Sequence, residues 1–291
     1  MSLNIKTSID SRNGKNKLIY ILVCLFSFLA MIPLFLILWD VVSKGYKNFN
    51  INLFTEVTPS SMDALIANMN GDPIPGGILN GITGSILIVG LAILFSVPIG
   101  LFIGIYLSEN RDKKFAGLVS YLTDLLQGMP SIVIGIIAYA WVVKPLGGYS
   151  ALAGSVALTM MMLPMIVRST EETLKMLPAS YKEAGLALGS SYTSVVFNIL
   201  LPSGFGGIFT GILLAISRVM GETAPLMLTA LGASVVNWDV MEPTSALPLL
   251  IWDFYNDPNL VELVWSSSLL LLIVIFLLNW IAKIVARKWK V

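Results

Sequence analysis

The chain has 291 residues, of which 56% are apolar and only 12% charged, and its net charge is +1. A soluble domain carries roughly 25% charged residues, and with a mean hydropathy of +0.83 a soluble globule is excluded, as one domain or two. There is no histidine and one cysteine, Cys24, so Ser-His-Asp catalysis, histidine-bound metals and an intrachain disulfide are excluded within this subunit.

A membrane-crossing helix needs about 20 mostly apolar residues to cover a hydrocarbon core of about 30 Å. Windows free of Asp, Glu, Lys and Arg run from Leu18 to Trp39, Pro73 to Ser108, Leu125 to Val143, Pro145 to Val167 and Leu263 to Ala282. A sixth apolar stretch, about Phe205 to Leu231, counts as a helix although it holds Arg218 and Glu222. The runs are long and lack period-2 alternation, so helices rather than barrel strands satisfy the backbone in lipid. The predicted fold class is an all-α polytopic membrane protein with about six transmembrane helices. The first window is longer than a signal-peptide core and no small-x-small cleavage pattern follows it, so it reads as an uncleaved helix. Trp39, Trp141 and Trp265 fall near predicted span ends and read as interface anchors. Met160 to Met162 read as flexible packing, and Asp124 as a helix-start or interfacial residue.

Charge sets the orientation. With the N-terminus in the cytoplasm, the inner segments hold Lys6, Arg12, Lys15, Lys17, Arg111, Lys113, Lys114, Arg168, Lys175, Lys182, Lys283, Arg287, Lys288 and Lys290. The outer segments hold only Lys44, Lys47 and Lys144. This bias places both termini inside a bacterial plasma membrane, and lipid is the expected surround. Nothing in the charge distribution points to nucleic acid. The chain divides into an inner tail (1–17), a first helix with its external loop (18–77), a transmembrane core (78–286) with an inner loop (171–204), and an inner tail (287–291). In the last external loop, Ala246 to Trp252 is apolar but too short to span; it lies at the interface or dips inward.

The inner loop from Glu171 to Gly204 is too long for a simple connector, and long loops are usually functional. Ser180 and Glu183 have capping-box spacing, which predicts a helix starting at Ser180. Gly189 is placed to end it, and Pro202 to end the apolar stretch that follows. Glu183-Ala184-Gly185, then Gly189, Ile199 and Leu201-Pro202, resembles the EAA loop of ABC-importer permeases, with Gly185 where the pattern usually has Ala. Leu53 to Pro59, Gly104 to Glu109, Pro130 to Gly135, Pro164 to Glu171 and Ala215 to Leu226 are similar, in order, to the phosphate-permease subunits of that class. The resemblance implies an ABC-importer fold of the methionine and molybdate permease type. It also implies that Glu183, Ala184, Gly185 and Gly189 couple to an ATPase subunit dimer. The other implied partners are a second phosphate permease subunit and an external phosphate-binding protein.

Arg218 is expected near the middle of the fifth span, where a charge costs several kcal/mol unless it meets a partner or water. Glu222, four residues on, shares its helix face, while Gly221 thins the helix and Pro225 bends it. Two readings stand. Either the pair is a salt bridge that fixes packing, or Arg218 faces the path and offers its fork to phosphate oxygens. In the second reading Glu222 orients Arg218 or accepts a proton from phosphate. Arg168 reads equally as an inner-face anchor paired with Glu171 and Glu172 or as a basic residue at the inner mouth of the path.

No G-x-x-x-x-G-K-[ST] motif occurs, so the chain is expected to be a non-catalytic permease without a cofactor, with ATP and Mg on the partner ATPase. The rival assignments are the partner permease of the same importer, which Leu53 to Pro59 argue against, and a sulfate or molybdate permease. From other classes come a stand-alone secondary phosphate transporter and a phosphate-signalling subunit.

Overall fold

The computed structural model describes residues 3–110 and 112–288. Arg111 and Lys290 of the charge count lie outside them, as do the side chains of Lys6, Arg12 and Lys15. Helices are the dominant element, and five of them are long and apolar enough to cross a membrane, or six if one sharply bent pair counts as a span.

The first long helix, α1 (Leu3–Gly45), presents its apolar surface outward and packs chiefly on the last helix near Gly45, whose α-carbon faces the Trp265 carbonyl. Next come α2 (Ile51–Thr55) and α3 (Ser61–Asn70), capped by Asn50 and Ser60. They fold back onto the start of α4 (Leu79–Glu109): Ile78 N donates to Leu53 O at 2.9 Å and Leu79 N to Glu56 O at 3.0 Å. The loop between α1 and α4, expected to be external, is therefore an ordered cap, sealed below by Leu53, Ile78, Leu250, Phe254 and Leu263.

The expected third span is not one helix. It is split into α5 (Lys114–Gly128) and α6 (Ser131–Ala138), and the chain bends by 107° between them. Pro130 causes the break, because its ring disfavours helical geometry at the preceding residue; Met129 is extended, with ψ 136°. The run Leu125–Val143 straddles this bend and looks continuous only by composition. After α6 a π turn (Tyr139–Val143) leads into α7 (Lys144–Leu146).

The centre of the bundle is α4 against α8 (Ala151–Met176). Gly100 and Gly104 face Ile166 and Thr170 so closely that a Cβ would come within 2.7 and 2.6 Å of those side chains, the close approach that small residues permit between membrane helices. Ile88, Ala92, Leu158, Met162 and Ile166 fill this seam, together with Ala215, Val219 and Leu226. Met161 and Met162 are core residues, as their packing role requires.

Two boundaries of the inner loop move. Helix α8 continues through Met176, so residues 171–176 are helical rather than loop. A short helix α9 (Ala179–Ala187) follows, and the chain is helical again from Tyr192. Pro202 does not end this stretch: α10 (Tyr192–Val195), a π turn (Val196–Leu200) and α11 (Leu201–Val219) form one continuous span. The missing N–H and the ring of Pro202 are absorbed by the wide π turn just before it. The same pairing of π turn and proline recurs at Tyr139–Val143 and Pro145.

Beyond α11 lie α12 (Ala224–Met227), α13 (Leu247–Asn256) and α14 (Val261–Lys288). The apolar stretch Ala246–Trp252 is packed inward: Leu247, Leu249, Leu250 and Phe254 are buried, and Leu247 N donates to Ser85 Oγ of α4 at 2.8 Å.

Candidate functional site

Arg218 is not in mid-helix. It lies in the last turn of α11, which ends at Val219. Met220 to Thr223 form a turn in which Gly221 N bonds Arg218 O at 3.3 Å and Glu222 N bonds Val219 O at 3.1 Å. Pro225 cannot continue a helix through Gly221 because it lacks the N–H and its ring crowds the preceding turn; it opens α12 instead. The guanidinium therefore sits at a helix C-terminus, where the backbone dipole favours a cation. Its depth is fixed by Met165 of α8, whose Sδ lies 3.8 Å from an Arg218 terminal nitrogen. Met165 is about 21 Å along α8 from Ala151 at 1.5 Å per residue.

Arg218 and Glu222 do come together, but loosely: Nε and Oε1 are 3.9 Å apart, and the side chains are 47% and 21% exposed. Beyond Glu222 and the Met165 sulfur, no described residue binds the Arg218 guanidinium. A guanidinium carries five N–H donors, so this one keeps a free edge for a bidentate oxyanion.

Arg168 is the opposite case. Nε donates to Asp124 Oδ1 at 3.0 Å, one terminal nitrogen to Glu171 at 2.6 Å, and the other to Asp124 at 2.5 Å, Ser120 Oγ at 2.7 Å and Ser120 O at 3.1 Å. Glu171, with 7% of its side chain exposed, also takes Lys175 at 2.5 Å. The residue sits one turn beyond Met165 inside α8, not at its end, and its fork is filled by carboxylates from two helices. It joins α5 to α8, and all three of its nitrogens are engaged by these helices. Asp124, near the end of α5 rather than a helix start, is its main partner.

In the inner loop, Glu183 and Ala184 are exposed on α9 and Gly185 is buried. The capping box does not form. Pro178 occupies the N-cap without a side-chain bond, which leaves Ser180 inside the helix. The C-terminus is as expected: Gly189 has φ +80°, Gly189 N bonds Leu186 O at 3.0 Å and Ser190 N bonds Gly185 O at 3.2 Å, a Schellman closure. Gly185 is small for an internal reason, because a Cβ there would meet Val195 and Ile199 at 2.8 and 2.9 Å. The outward face is left to Glu183, Ala184, Leu186 and Leu188, the last 87% exposed.

Two residues near α9 escaped sequence reasoning. Lys182 pairs with Glu109 at the end of α4, and its ammonium lies 5.0 Å from the centroid of the Tyr192 ring. Glu109 and Lys182 are 73 positions apart, so no local pattern could join them; Glu109 as the last charge before an inner loop was the only signal.

Helices of spanning length, one of them broken beside a half-exposed arginine, and a rigid helix displayed on an exposed loop define a membrane-embedded transport component. The chain belongs to the family described as binding-protein-dependent transport system inner membrane components, which matches residues 96–291. Over 271 residues it is 35% identical to the phosphate transport system permease protein PstA of Haemophilus influenzae, with 92% of each chain covered. It is also 35% identical to the PstA of Yersinia pestis, covering 96% of this chain and 92% of that one. The probable PstA of Methanocaldococcus jannaschii is 32% identical, with 89% of each chain covered. Among solved structures, an inward-facing form of the MetNI methionine ABC transporter has a chain that superposes with a TM-score of 0.62. That match has 20% identity and covers 72% of this chain and 95% of the other. The expected likeness to methionine-type permeases therefore holds for the fold.

Proposed function

We propose that this chain is the permease subunit of an ATP-driven importer that carries inorganic phosphate across the plasma membrane. The PstA relatives, which this chain matches over most of its length, support the substrate and disfavour a sulfate or molybdate permease. Arg218 carries the mechanism. It is a permanent cation at mid-bundle depth, half-exposed, with a free edge and a carboxylate 3.9 Å away. Phosphate passing the break between α11 and α12 meets the free edge of Arg218, while Glu222 limits how tightly the anion is held and takes up a proton from it. Arg168 is not part of this path; it fixes α5 to α8.

Energy and capture come from other chains. Glu183, Ala184, Gly185 and Gly189 shape the helix that docks on one ATPase of a dimer. Gly185 and Gly189 give that helix its packing and its closure, and Glu183 and Ala184 meet the ATPase. ATP and Mg stay on that partner. A second permease subunit completes the path, and both termini face the cytoplasm. The cap formed by α2 and α3 faces outward, where the phosphate-binding protein docks. Its open cleft is lined by Glu56, Thr58, Asp63 and Asp72.

The test is uptake of labelled phosphate by the reconstituted complex. Arg218→Gln should leave assembly intact and lower flux about 100-fold, equivalent to about 2–3 kcal/mol for lost charge-assisted hydrogen bonds. Normal flux would leave Arg218 a packing residue. Uptake that proceeds without the ATPase would replace the importer by a secondary transporter.

A further inference from the structure

Helix α9 is displayed on the outside of the bundle, yet a push on it must reach the membrane helices. Apolar contact supplies one route: Tyr181 joins a cluster around Val195 and Leu200 beyond the loop, against which Leu101 and Ile105 of α4 also pack. Apolar packing alone is non-directional and lets surfaces slide. A polar tether is the second route, and among the described residues α9 has a single ion pair, between Lys182 and Glu109.

Glu109 is the last residue of α4 and its side chain is only 15% exposed. A carboxylate there opposes the helix dipole, which favours cations at a C-terminus, so Glu109 weakens α4 unless a cation is supplied. Lys182 supplies it from α9. Tyr192, the first residue of the next span, closes the group: its ring lies against the Lys182 ammonium and its hydroxyl faces the Glu109 carboxylate. Three elements thus meet at one partly buried charge pair: the end of α4, the middle of α9 and the start of α10. Glu183, the next residue along α9, is exposed. Adjacent positions on α9, about 100° apart around the helix, therefore divide between the bundle and the exposed surface.

We propose that Lys182, Glu109 and Tyr192 form the tether through which displacement of α9 is passed to α4, making them positioning residues for transport. The proposal rests on α9 being the ATPase-coupling helix. Because α4 is in close-packed register with α8 through Gly100 and Gly104, a pull on Glu109 moves both helices together. The tether also reaches the start of the span that ends at Arg218.

The experiment uses the whole complex in proteoliposomes, reading phosphate imported per ATP hydrolysed, with assembly confirmed by co-purification. Lys182→Met and Glu109→Gln should each lower this ratio at least about threefold, the scale of one partly exposed ion pair. ATPase activity should persist. The exchange Lys182→Glu with Glu109→Lys should recover most of the ratio, and Lys182→Arg should stay near the native value. Tyr192→Phe keeps the ring and removes the hydroxyl, so it should fall between native and Lys182→Met. A native ratio in both single variants overturns the tether, and so does an exchange variant that assembles without recovery. Glu183→Arg separates the two proposals. If it uncouples transport while Lys182→Met does not, the tether falls and the coupling helix stands; if neither uncouples, both fall.

Discussion

Arg168 and Arg218 lie within a turn of the same point on α8, and the sequence places both beside carboxylates, yet their surroundings differ. Arg168 is bound by Asp124, Glu171 and Ser120, and its bonds link two helices. Arg218 has one ion pair at 3.9 Å and a sulfur neighbour. A guanidinium with every nitrogen engaged by side chains acts as a fastener; one with an open edge is free to take an oxyanion, the role proposed for Arg218. The intact helix α8 can afford the first, because its backbone needs nothing from the side chain. The broken end of α11 creates the second, because the turn at Gly221 holds Glu222 at the edge of reach.

The comparison breaks most sharply if the roles can be exchanged. Arg168→Gln should destabilise the purified complex by about 2 kcal/mol through lost hydrogen bonds to charged groups, while transport per assembled complex stays within about twofold of native, well under 1 kcal/mol. The check is a thermal melt beside an uptake assay. Flux that collapses with an unchanged melt would make Arg168 a receptor as well. Next in size is Glu222→Gln, which should lower uptake about tenfold, or about 1.4 kcal/mol, and leave the melt unchanged. A stability loss larger than that of Arg168→Gln would turn the Arg218–Glu222 pair into the structural one. The smallest effect lies far from both arginines, at the cap formed by α2 and α3. Hydrogen bonds from Ser61 and, next in size, from Asn259 N hold the Asp257 carboxyl below the usual carboxylate range. A depressed carboxylate stabilises the folded state above its unfolded pKa, and that stability is lost as pH falls through the folded value. Acidification below about pH 4 should therefore loosen the cap, read as faster proteolysis between Ser61 and Asn70. Asp257→Asn should remove that pH dependence.

Much of the fold was legible because membrane crossing is a one-dimensional constraint. The windows at Leu18, Pro73, Pro145 and Leu263 each found a helix, and Gly189 found its closure, because φ > 0 is a local demand. The bend at Met129 was hidden because hydropathy does not register backbone direction. Pro202 misled for the opposite reason: a local rule predicted a stop, and a π turn restored the helix. At the candidate site, Gly221 and Pro225 were both visible, but each was weighed as a modest perturbation, whereas together they end α11. The state of Arg168 was illegible from sequence, because its partner Asp124 is 44 residues away on a helix whose crossing is set by packing. Ser180 failed as a cap because Pro178, two residues earlier, was already rigid in the required geometry.

The right-angled path of α5 and α6 has a consequence for the surrounding lipid. Helix α5 crosses α8 near Arg168, so the limb from Ser131 to Leu146 carries the chain to the far end of the bundle. At 1.5 Å per residue that limb is about 24 Å long, short of a hydrocarbon layer of about 30 Å. The exposed Phe115, Leu118 and Leu122 of α5 spread sideways beneath it. Where lipid meets this flank, a limb this short would favour a thinner bilayer, at a cost of fractions of a kcal/mol per Å of mismatch. Shorter acyl chains should therefore favour the bent arrangement over any form that straightens it, read as uptake in bilayers of graded thickness.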